Sequence, residues 1–330
     1  MADISNLTKS SYSSNTVNDP MTFFLFPALV ICLIGIPGTL KTIHFYRRQS
    51  KTSAGATPIL LMVLAVYDTL ALVTSIPYIC LAINMLFVDS HEGAQMFFCH
   101  YYIPNYLVRF PKYCSNFLLM IIAMSRLYSV LRPLTWKKVF TRNLALGCTG
   151  AVTIVIPFCL LPLAFEFSCV EINNNTVAYK QLSDFGKNRG LFKTIYIFNM
   201  IMYYFVPLFT VLVCNIALII FLFHRMYNPM NTVLLTSSQA RELKMTKLGL
   251  VLTCIFVVCV SPLGIFYPLR GLGSSPIPQP VYRAIMPVAT LLESINYSVN
   301  SLVYYIGSAR FRADFQQIIC CKKSRVSPER

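Results

Sequence analysis

Seven apolar runs, each long enough to cross a bilayer, decide what this chain can fold into. They fall at residues 21–44, 58–87, 100–131, 144–167, 192–223, 248–269 and 282–306. A lipid-spanning helix needs about 20 mostly apolar residues. Hydrocarbon offers the backbone no hydrogen-bond partners, so a lone span must be helical. The third run is the least apolar, with Arg109 and Lys112 in its first half. If it did not span, six would remain; a span that tolerates charge faces a bundle interior. The sequence therefore predicts an all-α membrane protein. It has an outer tail at 1–20, a seven-transmembrane helix bundle at 21–307, and an inner amphipathic segment and tail at 308–330. Composition agrees: 12% of residues are charged, against about a quarter in soluble domains.

A net charge of +16 invites a nucleic-acid reading. The basic residues, however, sit in short clusters between the apolar runs, the pattern of a chain facing anionic lipid. The segments 45–57, 132–143, 224–247 and 308–330 carry seventeen lysines and arginines, and the opposite side, counting Lys193 and Arg283 at the outer ends of their spans, carries seven. The positive-inside rule then puts the N-terminus outside and the C-terminus inside, with lipid and not nucleic acid as the partner. The sequons at Asn6 and Asn174 both fall on the outer side, where glycosylation takes place. Cys320 and Cys321 fall inside, after a basic amphipathic stretch, as palmitoylation requires. The first twenty residues are polar and lack a basic leader region, so the first span is expected to act as its own signal.

Eight of the twelve cysteines lie within apolar runs, where a thiol acts as a small hydrophobe. Apart from the two tail cysteines, Cys99 and Cys169 remain, both on the oxidising outer side. A disulfide between them would clip the loop after span four to the top of span three; two unpaired thiols are the alternative.

Motifs fall in order along these runs. Span two carries "LAVYD", ending at Asp68; span three ends in "SRLYSVLRPL"; span five contains Pro207. Span six carries "FVVCVSP", span seven "NSLVY", and "ARFRADF" follows. Together these resemble the rhodopsin-like G-protein-coupled receptors over roughly residues 20–320. "LSDFGKNRGLFKTIY" and "INYSVNSLVYYIGSARFR" also resemble invertebrate FMRFamide-type neuropeptide receptors in texture. Five positions depart from the family pattern. Ser125 stands for the acid before the arginine, Leu127 for the aromatic after it and Thr39 for an asparagine in span one. Val260 stands for the tryptophan of span six, and Ser301 for the proline of span seven.

The resemblance implies roles for particular residues. Asp68, a carboxylate in mid-membrane, would meet Ser115, Asn296 and Asn300 around an allosteric sodium ion, or be a protonated acid in a hydrogen-bonded core. Arg126 would be held by the preceding acid at rest and turn to a heterotrimeric G protein on activation. Ser125 offers only a neutral hydroxyl, so the resting lock is expected to be weak and basal signalling high. Glu242 is a replacement partner for that arginine, and snorkelling to the headgroups is the plainer fate for it. Asn215, Asn300 and Tyr304 are the polar groups expected to rearrange at the inner end.

Toward the outside, Arg109 and Lys112 share a helix face at a spacing of three, and Glu293 lies in the upper half of span seven. They form either an intrabundle ion pair or a ligand pocket with both signs. Tyr267 belongs to a surrounding group of aromatics, some of which form the membrane-interface belt. Glu166 and Glu171 at the outer mouth would attract a basic peptide. No HExxH, GxSxG or Walker loop occurs, so no enzyme is expected and no cofactor beyond the sodium ion. The reading is a plasma-membrane receptor for an extracellular ligand, foremost a short amidated peptide. The alternatives are a small-molecule receptor of the same fold, a receptor that no longer couples, or a transporter. Against the transporter, seven spans divide poorly into inverted repeats.

Overall fold

The computed structural model describes residues 23–52, 55–87, 105–165, 167–172, 177–227, 237–271 and 278–319. Long helices dominate: α1 (Leu25–Thr52), α2 (Thr57–Phe87), α3 (Asn105–Leu131), α5 (Arg142–Ala164), α8 (Ser237–Gly271) and α9 (Gln279–Gly307). A short α4 (Pro133–Val139) links α3 to α5. The fifth span is α6 (Arg189–Met200) and α7 (Val206–Tyr227), joined by a π-helical turn at Ile201–Phe205. A final helix, α10 (Ala309–Ile319), follows α9 after one residue.

Six described helices are long and apolar enough to cross a membrane, including the third, at Tyr106–Leu131. The shortfall lies instead in the seventh. Helix α9 has 29 residues but carries Glu293, Ser294, Asn296 and Asn300, all buried. Its polarity faces the bundle, where it packs against α1 and α8. Apolar length therefore underrates a span whose polar side chains are turned inward.

Two further features go beyond the helical expectation. Strands β1 (Phe167–Ile172) and β2 (Val177–Leu182) pair antiparallel, from Phe167 opposite Leu182 to Ile172 opposite Val177. The polar "NNNT" between two short segments rich in apolar residues is a turn signal that a search for long apolar runs passes over. Helices α1 and α8 also outrun the apolar stretches. The first continues to Thr52, and α8 begins at Ser237, eleven residues before the run at 248. A helix does not stop where the lipid stops.

The π-turn has a local cause. Pro207 has no N–H, and its ring crowds the preceding turn. The wider turn relieves that, with Val206 N–H donating to the Ile201 carbonyl. Many serine and threonine hydroxyls inside spans donate to their own helix, as when Ser75 donates to Ala71 O at 2.7 Å.

One large core runs through the bundle, with Leu64, Leu118, Leu119, Ile122, Phe256 and Val260 all buried. A second joins α1, α2 and α9 around Cys32, Leu72 and Tyr297. The outer faces are just as apolar: Ile34, Phe158 and Phe223 are each 70% exposed. Large hydrophobics on both the core and the outer surface suit lipid and not water. Helices α1 and α9 approach so closely that a Cβ on Gly35 would lie 2.5 Å from Ser298 Cβ. A Cβ on Gly38 would meet the Ser301 hydroxyl. Close approach through small residues is how helices gain contact in lipid. Ser301, where the family pattern has proline, is part of this contact.

Candidate functional site

Three polar clusters lie along the bundle axis. The basic loops mark one end. In the half away from it, Lys112 Nζ on α3 donates to Glu293 Oε2 on α9 at 2.7 Å. The side chains are 16% and 8% exposed, so the pair is largely withdrawn from solvent. Next to Lys112, the Tyr113 ring stacks on Tyr203 from the π-turn at 4.4 Å. Tyr204 meets it edge-on at 5.6 Å. Arg109, one turn from Lys112, lies within electrostatic reach of Tyr113. Two helices thus meet through opposite charges beside an aromatic wall. Tyr267 lies on α8 and Cys169 on β1, but the side chains of both fall outside the described residues. So do those of Glu171 and Glu242. Asn6, Cys99, Glu166, Asn174, Cys320 and Cys321 fall outside entirely.

At mid-bundle, Asp68 on α2 is fully buried. Its Oδ1 accepts from Ser115 Oγ at 2.6 Å and its Oδ2 from Asn300 Nδ2 at 2.5 Å. One carboxyl group therefore ties α2 to α3 and α9. Asn296 is buried too, but its Nδ2 has no partner among the described residues. It is not a donor to Asp68, so three of the four residues expected there converge. No basic side chain pairs with Asp68 among the described residues. The groups facing Asp68 are the Ser115 hydroxyl and the Asn300 amide N–H, both of them donors, so the acid is satisfied by neutral hydrogen bonds and not by a charged partner. No group of three or more histidine, cysteine or acidic residues suited to a metal occurs among the described residues.

At the basic end, Ser125 is buried and its hydroxyl donates to Ile122 O on its own helix at 2.8 Å. Its single proton is therefore used within α3. Arg126 lies along Gly249 of α8, where an added Cβ would sit 3.7 Å from Arg126 Cγ. Asn215 on α7 accepts from Thr253 Oγ1 on α8 at 2.7 Å, both side chains being buried. Tyr304 is 2% exposed, with its ring edge-on to Tyr46 at 5.4 Å. Helix α10 is pinned below it. Ser308 Oγ caps the helix by accepting from Phe311 N at 3.3 Å. Phe311 packs edge-on to Phe45 at 5.0 Å, and Asp314 bonds Lys41 at 2.6 Å and Arg48 at 3.2 Å.

Sequence reasoning missed Thr253, Lys41 and Asp314. Thr253 carried a signal, as the only hydroxyl in the run "LVLTCIFVV". Lys41 and Asp314 are far apart in the chain, and only folding shows that they meet.

These features define a class: a multi-pass helical membrane bundle that carries its polar groups on an internal axis and is pinned at one end by a short helix. The profile of the 7 transmembrane receptor (rhodopsin family) matches residues 39–304. The chain belongs to that family, and is a receptor and not an enzyme. It is 21% identical to the pig (Sus scrofa) somatostatin receptor type 2, over 98% of this chain and 82% of the relative. It is also 21% identical to zebrafish (Danio rerio) galanin receptor 2b, over 90% and 74%. A QRFP-like peptide receptor of Branchiostoma floridae is 24% identical over 63% and 56%.

Proposed function

We propose that this receptor binds an extracellular peptide between α3, α6 and α9 and couples that event to a heterotrimeric G protein at its basic end. The Lys112–Glu293 pair beside Tyr113 and Tyr203 carries the reading. A charged pair this enclosed is costly to desolvate. It is well placed to exchange partners with a ligand: Glu293 with a basic side chain, Lys112 with an acidic group or carbonyl. Relatives named for somatostatin, galanin and a QRFP-like peptide support a peptide as the occupant. The texture shared with FMRFamide-type receptors favours one that is short and amidated. The receptor sits in the plasma membrane with its N-terminus outside, as the charge asymmetry supports. Cys99 and Cys169 form the loop disulfide, and Asn6 and Asn174 are the glycosylation sites. Cys320 and Cys321 anchor the tail after α10. Asp68, Ser115 and Asn300 hold a sodium ion that favours the resting packing, a shift of population between two states.

The test is a signalling screen in cells carrying a promiscuous G protein, with amidated peptides as ligands and Arg126→Ala as the uncoupled control. A dose-dependent response lost in the control supports the reading. Silence from receptor shown to be at the surface refutes it.

A further inference from the structure

We propose that α1, α9 and α10 form one rigid unit that keeps its shape when the basic end opens. This receptor then switches by moving α8 against that unit, with no bend in α9 where the family pattern has proline. The switching half of this rests on the coupling role given above to the basic end; the rigidity does not.

Helix α9 runs unbroken from Gln279 to Gly307, and its interior proline, Pro287, lies toward the outer end. At position 301 a serine keeps the backbone N–H that a proline would remove, so the ladder has no gap there. The Ser301 hydroxyl donates to Ser298 O at 3.0 Å, within the same helix.

Three contacts seat α9 on α1, each about one turn further in. Cys32 Sγ donates to Ser294 Oγ at 3.5 Å. Gly35 lies so close to Ser298 that an added Cβ would be 3.2 Å from Ser298 Cα. Gly38 faces Ser301, where an added Cβ would be 3.0 Å from Ser301 Cβ. Helix α1 has its own break at this level, Pro37, and the contacts at Gly35 and Gly38 hold it on both sides. A bend in α9 at 301 would part Gly38 from Ser301 and open the seam.

Helix α10 closes the lower end of that seam from both sides. Arg312 Nη1 donates to the Ile306 and Tyr305 carbonyls at 2.6 and 3.3 Å, which caps α9. Phe315 packs edge-on to Tyr305 at 5.3 Å. On the α1 side, Asp314 pairs with Lys41, whose Nζ also donates to Asp314 O at 3.0 Å. Lys41 belongs to the first apolar run, and its side chain is 9% exposed. Parting α10 from α1 would leave that ammonium unpaired at the edge of the hydrocarbon, where a lone charge is costly.

The other flank of α9 is built differently. A cavity of about 10 Å³ lies between it and α8, bordered by Arg126, Gly249, Thr253 and Tyr304 among others. Leu248 of α8 rests on Gly307, an apolar contact that can slide. The looser seam is beside α8, and α9 stays with α1.

Two experiments test this. In the first, Gly38→Cys is combined with Ser301→Cys in the full chain. The two Cβ atoms would lie 3.0 Å apart, about half an ångström under the usual disulfide spacing. Copper phenanthroline should join them, with Gly38→Cys alone as the control. The oxidised and reduced forms should then drive the same ligand-free nucleotide exchange on a purified heterotrimeric G protein. Exchange lost on oxidation overturns the proposal, since α9 would have to leave α1; so does a pair that never joins. The second experiment needs no signalling. Gly38→Ala should speed amide exchange across 309–319 about tenfold, the loss of one charge-assisted hydrogen bond, although α10 itself is unchanged. Adding Ser301→Gly should restore the parent rate, because the new methyl takes the room the serine leaves. An effect confined to α1 overturns the unit. A parent receptor that drives no nucleotide exchange sinks the coupling reading, and amide exchange then decides the rigidity by itself.

Discussion

Glu293→Gln is the sharpest probe of the charged cluster. The substitution keeps the shape and removes the charge, leaving the Lys112 ammonium in a site where its own side chain is 16% exposed. Removing one member of a buried pair costs about 3–5 kcal/mol, because the remaining charge is uncompensated. With Lys112 slightly open to solvent, the lower end of that range applies, about 3 kcal/mol. For a chain of 330 residues that lowers the unfolding midpoint by roughly 4 °C. A thiol-reactive dye on purified receptor reads it directly, because Cys32, Cys114, Cys214 and Cys259 are buried and react on unfolding. The reciprocal swap, Lys112→Glu with Glu293→Lys, should recover most of the loss, since it restores the attraction in reversed order. Lys112→Met with Glu293→Leu should be as stable as the parent or more so. That apolar pair should nevertheless fail to respond to any peptide that activates the parent. If Glu293→Gln melts with the parent, or the swap is no better than the singles, the pair is not a buried interaction and the ligand argument loses its base.

Asp68→Asn should abolish any effect of sodium on agonist affinity, measured by radioligand competition in sodium and in N-methylglucamine buffers; persistence of the effect removes the ion from this site. Ser125→Asp should lower ligand-free signalling severalfold by adding a charge-assisted partner for Arg126; unchanged output would show that the missing acid is immaterial. Asp314→Ala should raise amide hydrogen exchange across 309–319, because Lys41 and Arg48 both lose their partner. A local destabilisation of about 1–3 kcal/mol is expected there. Gly38→Leu should cut surface expression sharply, since even a Cβ meets the Ser301 hydroxyl.

What the sequence made legible and what it concealed divide along a physical line. Spans are a matter of local apolarity, so a single pass along the chain finds them, together with the acid at Asp68 that lipid would otherwise exclude. Partners are a matter of rotation about helix axes. The spacing of Arg109 and Lys112 marked a charged face but not which of the two would reach Glu293; the lysine does. Asn296 and Asn300 are one turn apart on the same helix, yet only Asn300 reaches Asp68. The departures from the family pattern show the same division. Ser125 and Ser301 read in isolation as losses, an acid and a proline gone. In the fold, Ser301 is a close-packing residue against Gly38, and a larger side chain on either helix would force α1 and α9 apart. Ser125 gives its proton to its own helix, and Arg126 lies along α8 at Gly249. The same glycine borders the cavity beneath Tyr304. Both departures are thus packing choices of the helices that carry them, set by which neighbour each side chain faces, and a motif read along one strand of sequence does not encode that.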